Sequence, residues 1–586
     1  MSMENKQKKK IKKLVMNYLK TGIILCFVTL LSCSKKSDPS MELSGIITNM
    51  EIREAYDKKE YPLGLFTTAH YQSEADFAKD QLTKLSNIPI ESLSETERIS
   101  IELLQFTLQE KIDFFEYEAY LNPLLSDAGF HTSLPYEVRD FSTHEQFVSY
   151  LNKLNAIPTF VEQHITLMRE GLEKGISQPK IIFKDFEDTY NGQIVVNFED
   201  SFYYSPFKKL PSILDAHQKD SLLKAAEETI VLKVIPQFKV IKAFFEEEYF
   251  KITRERGGVS NQPNGKAYYQ NRVNYYTTLT ISAEEIHQKG LQEVARIKGE
   301  MQKIIKDVEF NGTFDEFLTF LRTDDQFYAS TGEELLKEAR NISKRIDAQL
   351  PKFFITLPRK PYGVAPVPAV IAPKYTAGRY NPAGDIDTEP GYYWVNTYNL
   401  KSRPLYILPA LTLHEAVPGH HLQISLNSEL SKDIPKFRRD LYLSAYGEGW
   451  GLYAEYLGND MEIYTTPYEN FGKFTYEMWR ACRLVVDTGI HVKNWTREQA
   501  VAYLKSNTAL SIHEVNTEID RYISWPGQAL SYKIGELKIR ELRKKVEEAL
   551  GTEFDIREFH EIILEEGTVT LSILENRILN YIERVK

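Results

Sequence analysis

The sequence predicts a mainly α-helical fold with two large lobes and one small β element. Three observations support this prediction. Amphipathic stretches with capping residues recur along the chain, strand-like sequence is confined to residues 357–404, and the 586 residues are 42% hydrophobic and 12% aromatic. A chain of this length and composition can fill a substantial core, so disorder is not expected.

The predicted helices begin with N-terminal capping boxes. Ser94 precedes a run with helical periodicity and is followed three residues later by Glu97, and Ser282 and Glu285 repeat this arrangement. Gly551 follows another amphipathic stretch and is expected to be its C-cap. Helices of this kind account for most of the chain.

The expected β element lies between residues 357 and 404. Its first part, PYGVAPVPAVIAP, has too many prolines for a helix, whereas GYYWVNTYNL, which begins at Gly391, has the aromatic and β-branched content of a strand. The element directly precedes a His-Glu motif, where the edge of a strand could hold an extended peptide through backbone hydrogen bonds. A structural hairpin that closes the lobe is an equal alternative.

The N-terminus has the pattern of a lipoprotein signal. Seven lysines precede an apolar run from Ile23 to Leu31, which is too short to span a bilayer and ends at LLSC. We predict that residues 1–32 are removed, that Cys33 carries lipid, and that residues 33–44 form a tether. The mature protein would then be exported and anchored to a bacterial membrane, facing the periplasm from the outer membrane. A plain secretory signal or a membrane anchor is the alternative.

The charge of the chain excludes nucleic acid as a partner. The formal charge is −10 and becomes −16 when the signal, with its seven lysines and Glu4, is lost, so phosphates would be repelled. Cys482 is then the one thiol that is neither lipidated nor removed, so no internal disulfide is expected. The sequence does not indicate an oligomeric state.

The stretch TLHEAVPGHHLQ, residues 412–423, is similar to a zinc-peptidase helix with an altered spacing. A histidine followed by glutamate, with another histidine close behind, is typical of metal-assisted hydrolysis, but Pro418 lies where the second histidine is usually found. On a regular helix, His421 would lie about 20° from His414 around the axis and His420 about 120° away. A bulge after Pro418 would instead restore His420 to the metal face, so geometry leaves both histidines open.

A third ligand is expected from the segment YGEGWGLYAEYLG. Its two acids, Glu448 and Glu455, lie seven residues apart on one face of an otherwise apolar helix, and a buried acid needs a partner. The glycines beside Glu448 favour close approach to a metal, which would supply the missing positive charge. For Glu455, an exposed position is an equal interpretation.

These two segments resemble those of the bacterial domain-of-unknown-function family 885 (DUF885). The segments SAEEIHQKGLQEVARI, VVDTGIHVKNWTREQA and WPGQALSYKIGELKIRELR extend the resemblance over most of residues 45–580. Such proteins are similar to gluzincin-type zinc peptidases, which bind the metal with two histidines and a glutamate. The resemblance implies a metallopeptidase-like fold with the β element next to the active-site helix. It also implies Zn²⁺ bound by His414, His420 and Glu448.

Further residues receive roles from this chemistry. Glu415 would take a proton from water that zinc activates and pass it to the leaving amine. Tyr532, in a segment that resembles the tyrosine-bearing helix of oligopeptidases, is the first candidate donor to the oxyanion, and His491 is the second. A core tyrosine and a structural histidine are the alternatives. Arg521 could bind a substrate carboxylate, although structural pairing is favoured.

We therefore predict a zinc-dependent peptidase that cuts short peptides in a cleft between two lobes. Residues 45–270 would form the N-terminal helical lobe and residues 271–586 the catalytic lobe. A non-catalytic metal-binding lipoprotein that keeps a relic of the site is one alternative, and an enzyme that hydrolyses a non-peptide amide or ester is another. The sequence does not determine the length of the substrate or the end that is attacked.

Overall fold

The computed structural model describes residues 38–586, apart from positions 256, 370, 373–374 and 384–389 and the side chains of 55–58. The predicted signal at residues 1–32 and the lipid attachment at Cys33 lie outside the described residues. Residues 39–44, predicted as the end of the tether, belong to the first helix instead. The reason is Leu43, which is buried in a hydrophobic cluster with the next two helices.

The mainly α-helical prediction is confirmed. Helices contain 70% of the residues and strands 3%, compared with about 30–35% helix in an average globular protein. Before the sheet, the α-helices are α1 (Pro39–Glu60), α2 (Thr68–Ser86), α3 (Glu95–Glu116), α4 (His144–Lys174), α5 (Asp188–Asn191), α6 (Ala216–Thr229), α7 (Ile235–Ala243), α8 (Phe250–Ile252), α9 (Gly265–Thr277), α10 (Ala283–Asp307), α11 (Phe314–Thr323), α12 (Gly332–Asp347) and α13 (Leu350–Phe353). After it, they are α14 (Leu408–Glu415), α15 (His420–Ser428), α16 (Lys436–Asp440), α17 (Ser444–Leu457), α18 (Pro467–His491), α19 (Arg497–Asn507), α20 (Ile512–Ser524), α21 (Ser531–Leu550), α22 (Ile556–Leu564) and α23 (Leu571–Val585).

Local capping signals locate several of these helix ends. Ser94 and Glu97 form the expected capping box at the start of α3, and Ser282 and Glu285 form the one at the start of α10. Gly551 caps α21 with a positive φ of 54°, a conformation that glycine adopts without strain. These three predictions are confirmed, because a cap depends on residues only a few positions apart.

The predicted boundary between the lobes falls inside a helix. Residues 270 and 271 both lie within α9, and one hydrophobic cluster contains buried residues from both sides of this position, including Leu103, Val161, Leu413 and Leu542. Among the described residues, the two halves of the chain therefore share a core. None of the helices that the structure describes is both long and apolar enough to cross a membrane.

The small β element packs beside the motif helix. It contains strands β1 (Tyr362–Pro366), β2 (Gly378–Asn381) and β3 (Gly391–Val395) in the order β1-β3-β2. β3 is the predicted strand; β1 is parallel and β2 antiparallel to it, so that Tyr393 pairs with Val364 and with Tyr380. Tyr393 is fully buried, and its hydroxyl oxygen lies 3.4 Å from that of Thr412 in α14. The sheet thus fixes the position of the helix that carries the His-Glu motif.

Candidate metal centre

The motif helix is interrupted between its histidines. α14 ends at Glu415 and α15 begins at His420, so the expected bulge is a complete break of the helix. The backbone of Gly419 passes so close to the preceding turn that a Cβ atom there would lie 1.9 Å from the carbonyl oxygen of His414. Glycine is needed at this position because any other side chain would push the two helices apart.

Trp450 holds this break from a neighbouring helix. Its fully buried indole N–H donates to the carbonyl oxygen of Pro418 at 2.7 Å. A carbonyl group that the interrupted helix leaves free is thereby satisfied. Trp450 lies two residues after Glu448 on α17, so the helix that supplies the third candidate ligand also fixes the geometry of the motif.

The three predicted metal ligands, His414, His420 and Glu448, converge beside this break. Nε2 of His414 lies 3.4 Å from Oε2 of Glu448, and Nε2 of His420 lies 3.5 Å from the same oxygen. One ligand atom from each of the three residues lies within 4.8 Å of the others. In a tetrahedral zinc site with bonds of about 2.0–2.1 Å, neighbouring ligand atoms are about 3.4 Å apart. The donor set and its spacing therefore fit a zinc ion with three protein ligands.

His421 has other partners. Its Nδ1 lies 3.0 Å from the hydroxyl oxygen of Tyr380 and 3.2 Å from Oγ of Ser425, and its ring centre lies 4.8 Å from that of Tyr362. Burial lowers the pKa of His421 to about 4, so its imidazole is neutral. Of the two histidines that the sequence left open, His420 is the one that faces Glu448.

The electrostatics of the three side chains favour a cation between them. Burial alone would lower the pKa of His414, but Glu448 and Glu455 raise it to about 10. Burial also favours the neutral carboxyl of Glu448, yet His420 and His414 hold its pKa well below the usual range. Carboxylates that stabilise positive charge on the histidines would equally stabilise a divalent metal ion.

Glu455 lies behind His414. Its Oε1 is 2.8 Å from Nδ1 of His414, and the residue is 1% exposed, so the exposed position considered from the sequence is wrong. A carboxylate on the second ring nitrogen fixes the tautomer and the orientation of a ligand histidine. Gly451 allows this packing, because a Cβ atom there would lie 2.7 Å from the His414 ring. The spacing of seven residues from Glu448 is the sequence signal for this role.

Glu455→Gln should lower the affinity for zinc by about 10–100-fold, as expected for an outer partner of a ligand histidine. The amide keeps the shape of the side chain but removes the charge that faces His414. Competition with a chromogenic chelator measures the affinity, and Glu462→Gln, in the exposed loop after the same helix, is the control. Unchanged affinity in Glu455→Gln would contradict this role.

Glu415 is held against the sheet. Its Oε2 accepts a hydrogen bond from the backbone N–H of Tyr380 in β2 at 2.7 Å, and the residue is 9% exposed. Among the described residues, Glu415 is not a member of the converging ligand set, so its carboxylate is left for another role. The N–H of Tyr380 lies on the edge of β2 that does not pair with β3. A substrate peptide aligned along that edge would have to displace the hydrogen bond to Glu415.

Two side chains near the centre were not identified from the sequence. Tyr442 donates to Oε1 of Glu448 at 3.1 Å, although the residue as a whole is 45% exposed. Burial of the hydroxyl end and the charge of Glu448 raise the pKa of Tyr442 well above its usual value. Arg379, exposed on β2, is close enough for its charge to interact with Glu415, Tyr532 and Glu448. No sequence pattern marks either residue, because one lies in a loop and the other in a four-residue strand.

Tyr532 lies at the same site. It is the second residue of α21 and is 9% exposed, and it interacts electrostatically with Tyr442 and Arg379. The guanidinium carbon of Arg483 lies 4.1 Å from its ring centre, and Arg521 lies close enough for its charge to interact with the Tyr532 oxygen. Because arginine can only donate hydrogen bonds, neither of these two arginines uses the phenolic proton of Tyr532.

His491 is placed differently from its predicted role. It is fully buried, its Nδ1 accepts from the backbone N–H of Val259 at 3.0 Å, and its Nε2 donates to the carbonyl oxygen of Tyr522 at 2.9 Å. Burial lowers its pKa to about 3. Both ring nitrogens are bound to backbone, so the geometry indicates a structural role for His491 and not that of an oxyanion donor.

A large cavity among the described residues adjoins the centre at Tyr442. It has a volume of about 810 Å³ and lies between helices α1 to α3 and the segment that precedes α17. Its lining does not include the three converging ligands. A cavity of this size can hold several residues of a peptide.

Residues 50–578 match a family described as "Bacterial protein of unknown function (DUF885)". The crystal structure of "the putative lipoprotein from Colwellia psychrerythraea" matches with a TM-score of 0.82 and 27% identity, over 89% of this chain and 92% of that chain. A "putative lipoprotein of unknown function from Shewanella oneidensis" matches with a TM-score of 0.67 over 93% of this chain and 100% of that chain, but at 18% identity it shows the fold alone. No curated protein matches. The predicted family is confirmed, whereas the relation to gluzincin peptidases stays a prediction.

Proposed function

The chain belongs to the DUF885 family of bacterial proteins, and we propose that it is a zinc-dependent peptidase that hydrolyses short peptides in a cleft between two helical lobes. The observation that carries this proposal is the convergence of His414, His420 and Glu448, with Glu415 beside them and outside the ligand set. Three protein ligands leave a fourth position for water or substrate, which is typical of catalytic zinc sites and not of structural ones.

The side chains around the centre have complementary tasks in hydrolysis. When bound, zinc would supply a Lewis acid that polarises the substrate carbonyl and lowers the pKa of water. Glu415 keeps one carboxylate oxygen on the Tyr380 N–H, and its other oxygen would accept the proton of the attacking water and return it to the leaving amine. Tyr532 would donate its phenolic proton in a hydrogen bond to the oxyanion.

Tyr532→Phe should lower kcat by about 10²–10³-fold with little change in KM, because the hydrogen bond forms mainly in the transition state. Zinc content and helicity should be unchanged, since one oxygen atom is removed. Steady-state kinetics on a cleaved peptide measures both constants. Tyr503→Phe removes an equivalent hydroxyl on α19 and is the control. A normal kcat in Tyr532→Phe would exclude this tyrosine as the donor.

The proposed activity is tested on the purified mature protein. Its zinc content is measured by elemental analysis, and a mixture of blocked and unblocked peptides is followed by mass spectrometry before and after metal removal. We expect about one zinc ion per chain. Peptide cleavage should stop with the chelator and return with zinc. A zinc-loaded protein that cleaves no peptide would overturn the proposal and favour a binding protein or a hydrolase for other amides or esters.

We also propose that the mature chain is anchored through lipid on Cys33 and faces the periplasm from the outer membrane. The LLSC sequence and the lipoprotein name of the structural neighbour from Colwellia psychrerythraea support this location. Cys33→Ala should abolish labelling with a fatty-acid analogue and release the protein from the membrane fraction. A wild-type chain that keeps Met1 and carries no lipid would contradict it.

A further inference from the structure

An arginine cluster, consisting of Arg480, Arg483 and Arg521, lies beside Tyr532. Arg480 and Arg483 lie one turn apart on α18 and are 5% and 2% exposed. Arg521 lies on α20, and its side chain is 21% exposed, so it is the member that a ligand can reach. Buried guanidinium groups are costly unless each is paired and hydrogen-bonded, so the partners of this cluster decide its role.

The cluster has fewer carboxylates than guanidinium groups. Among the described residues, its ion pairs involve two acids. Glu518 lies 3.0 Å from Arg483 and 3.5 Å from Arg521, and Glu455 lies 3.5 Å from Arg480 but also binds His414. Two buried nitrogens of the cluster, Nε of Arg480 and Nη1 of Arg483, have no hydrogen-bond partner. The cluster therefore carries excess positive charge and unused donors, which an anionic ligand would satisfy.

A chain of contacts connects Arg521 with the helix that carries Glu448. Arg521 donates to Oε1 of Gln528 at 2.6 Å, and Nε2 of Gln528 lies 3.5 Å from Oγ of Ser444. Ser444 precedes Glu448 by four residues on α17, so the two side chains share a face about 6 Å apart along the axis. Arg521 also lies close enough to Tyr532 for its charge to interact with the phenol. A few residues of extended chain, at about 3.4 Å each, would therefore connect a carbonyl group at the metal centre with this guanidinium.

We propose that Arg521, supported by Arg483, binds the C-terminal carboxylate of the substrate, so that the protein cuts short pieces from the C-terminal end of a peptide. This inference rests on the proposed function and specifies its substrate. The planar fork of arginine matches a carboxylate through two parallel hydrogen bonds. In each turnover one water is consumed: the C–N bond breaks, the acyl carbon gains the oxygen as a new carboxylate, and the released amine gains a proton.

The first test compares N-acetylated pentapeptides of mixed sequence that end either in a free carboxylate or in an amide. Wild-type kcat/KM should favour the free acids by about 10²-fold, as expected for charge-assisted hydrogen bonds to a carboxylate. Arg521→Gln should reduce this ratio to about one, and Arg521→Lys should restore part of it, since the charge returns without the fork. The control is Arg497→Gln, which removes an ion pair with Asp520, the neighbour of Arg521 on α20. This variant should keep the wild-type ratio.

The second test separates this inference from the proposed function. Equilibrium binding of the acetylated free acids and amides to the metal-free protein is measured for the wild type and for both Arg521 variants, with thermal unfolding as a check on the fold. If the protein cleaves no peptide but binds free acids through Arg521, the proposed peptidase activity is wrong and the proposed carboxylate site is retained.

Three results would overturn the carboxylate site. The first is equal cleavage of acids and amides, with products that show internal cuts. The second is equal cleavage of free acids and of amides that carry an acidic side chain near their end, because the site would then bind that side chain. The third is activation of acids and amides alike by chloride through Arg521, because the cluster would then bind an inorganic anion.

Discussion

Glu415→Gln is expected to retain zinc and to lower kcat by about 10²–10⁴-fold, the range of a general base. Glutamine keeps a carbonyl oxygen that can accept the N–H of Tyr380, so the junction between α14 and β2 should persist. It cannot, however, take a proton from water. Full metal occupancy with little turnover is therefore the expected result.

The matched control for this variant is Glu455→Gln. Both glutamates are buried next to His414: Glu415 follows it in the sequence, and Glu455 contacts its ring. Excess zinc should restore the activity of Glu455→Gln, which only weakens metal binding, and should leave Glu415→Gln inactive. Elemental analysis and kinetics at several zinc concentrations measure the difference. If Glu415→Gln loses zinc, or turns over at the wild-type rate when loaded, Glu415 is not the base.

The helices could be predicted from the sequence because their signals are local. The capping boxes at Ser94 and Ser282 involve residues three positions apart, and burial follows the helical period. Strand β2, with the sequence GRYN, has no such signal, since it forms only by pairing with β3 and by donating to Glu415 on α14. The lobe boundary predicted at residue 270 falls inside α9. The sequence did not reveal this, because the core that both halves share is formed by contacts between distant parts of the chain.

Residue type and spacing were enough to predict the residues of the candidate centre but not the backbone geometry that brings them together. His414 and Glu448 follow from their motifs, but the break before His420 depends on Trp450, which reaches the Pro418 carbonyl from another helix. The spacing of Glu455 places it on the same helix face as Glu448, but its burial depends on packing against His414 from another helix. For His491 the sequence left two roles open, an oxyanion donor and a structural histidine, and the hydrogen bonds of both ring nitrogens to backbone groups favour the second.

His420→Ala should lower the affinity for zinc by more than about 100-fold, a larger loss than that of an outer partner such as Glu455. The reason is that Nε2 of His420 is one of the three converging ligand atoms. His414→Ala and Glu448→Ala should behave in the same way. Chelator competition measures each affinity, and circular dichroism checks that the helices remain.

His421→Phe should give the reverse pattern, with zinc retained and the fold weakened. Its imidazole binds the hydroxyl of Tyr380 and lies away from Glu448, so the substitution removes a buried hydrogen bond and no metal ligand. A buried hydroxyl without this partner should cost about 1–3 kcal/mol of the free energy of unfolding, measured with urea in the presence of EDTA. If His421→Phe loses the metal and His420→Ala keeps it, the motif forms a continuous helix in solution, because only regular helical geometry places residues seven apart on one face.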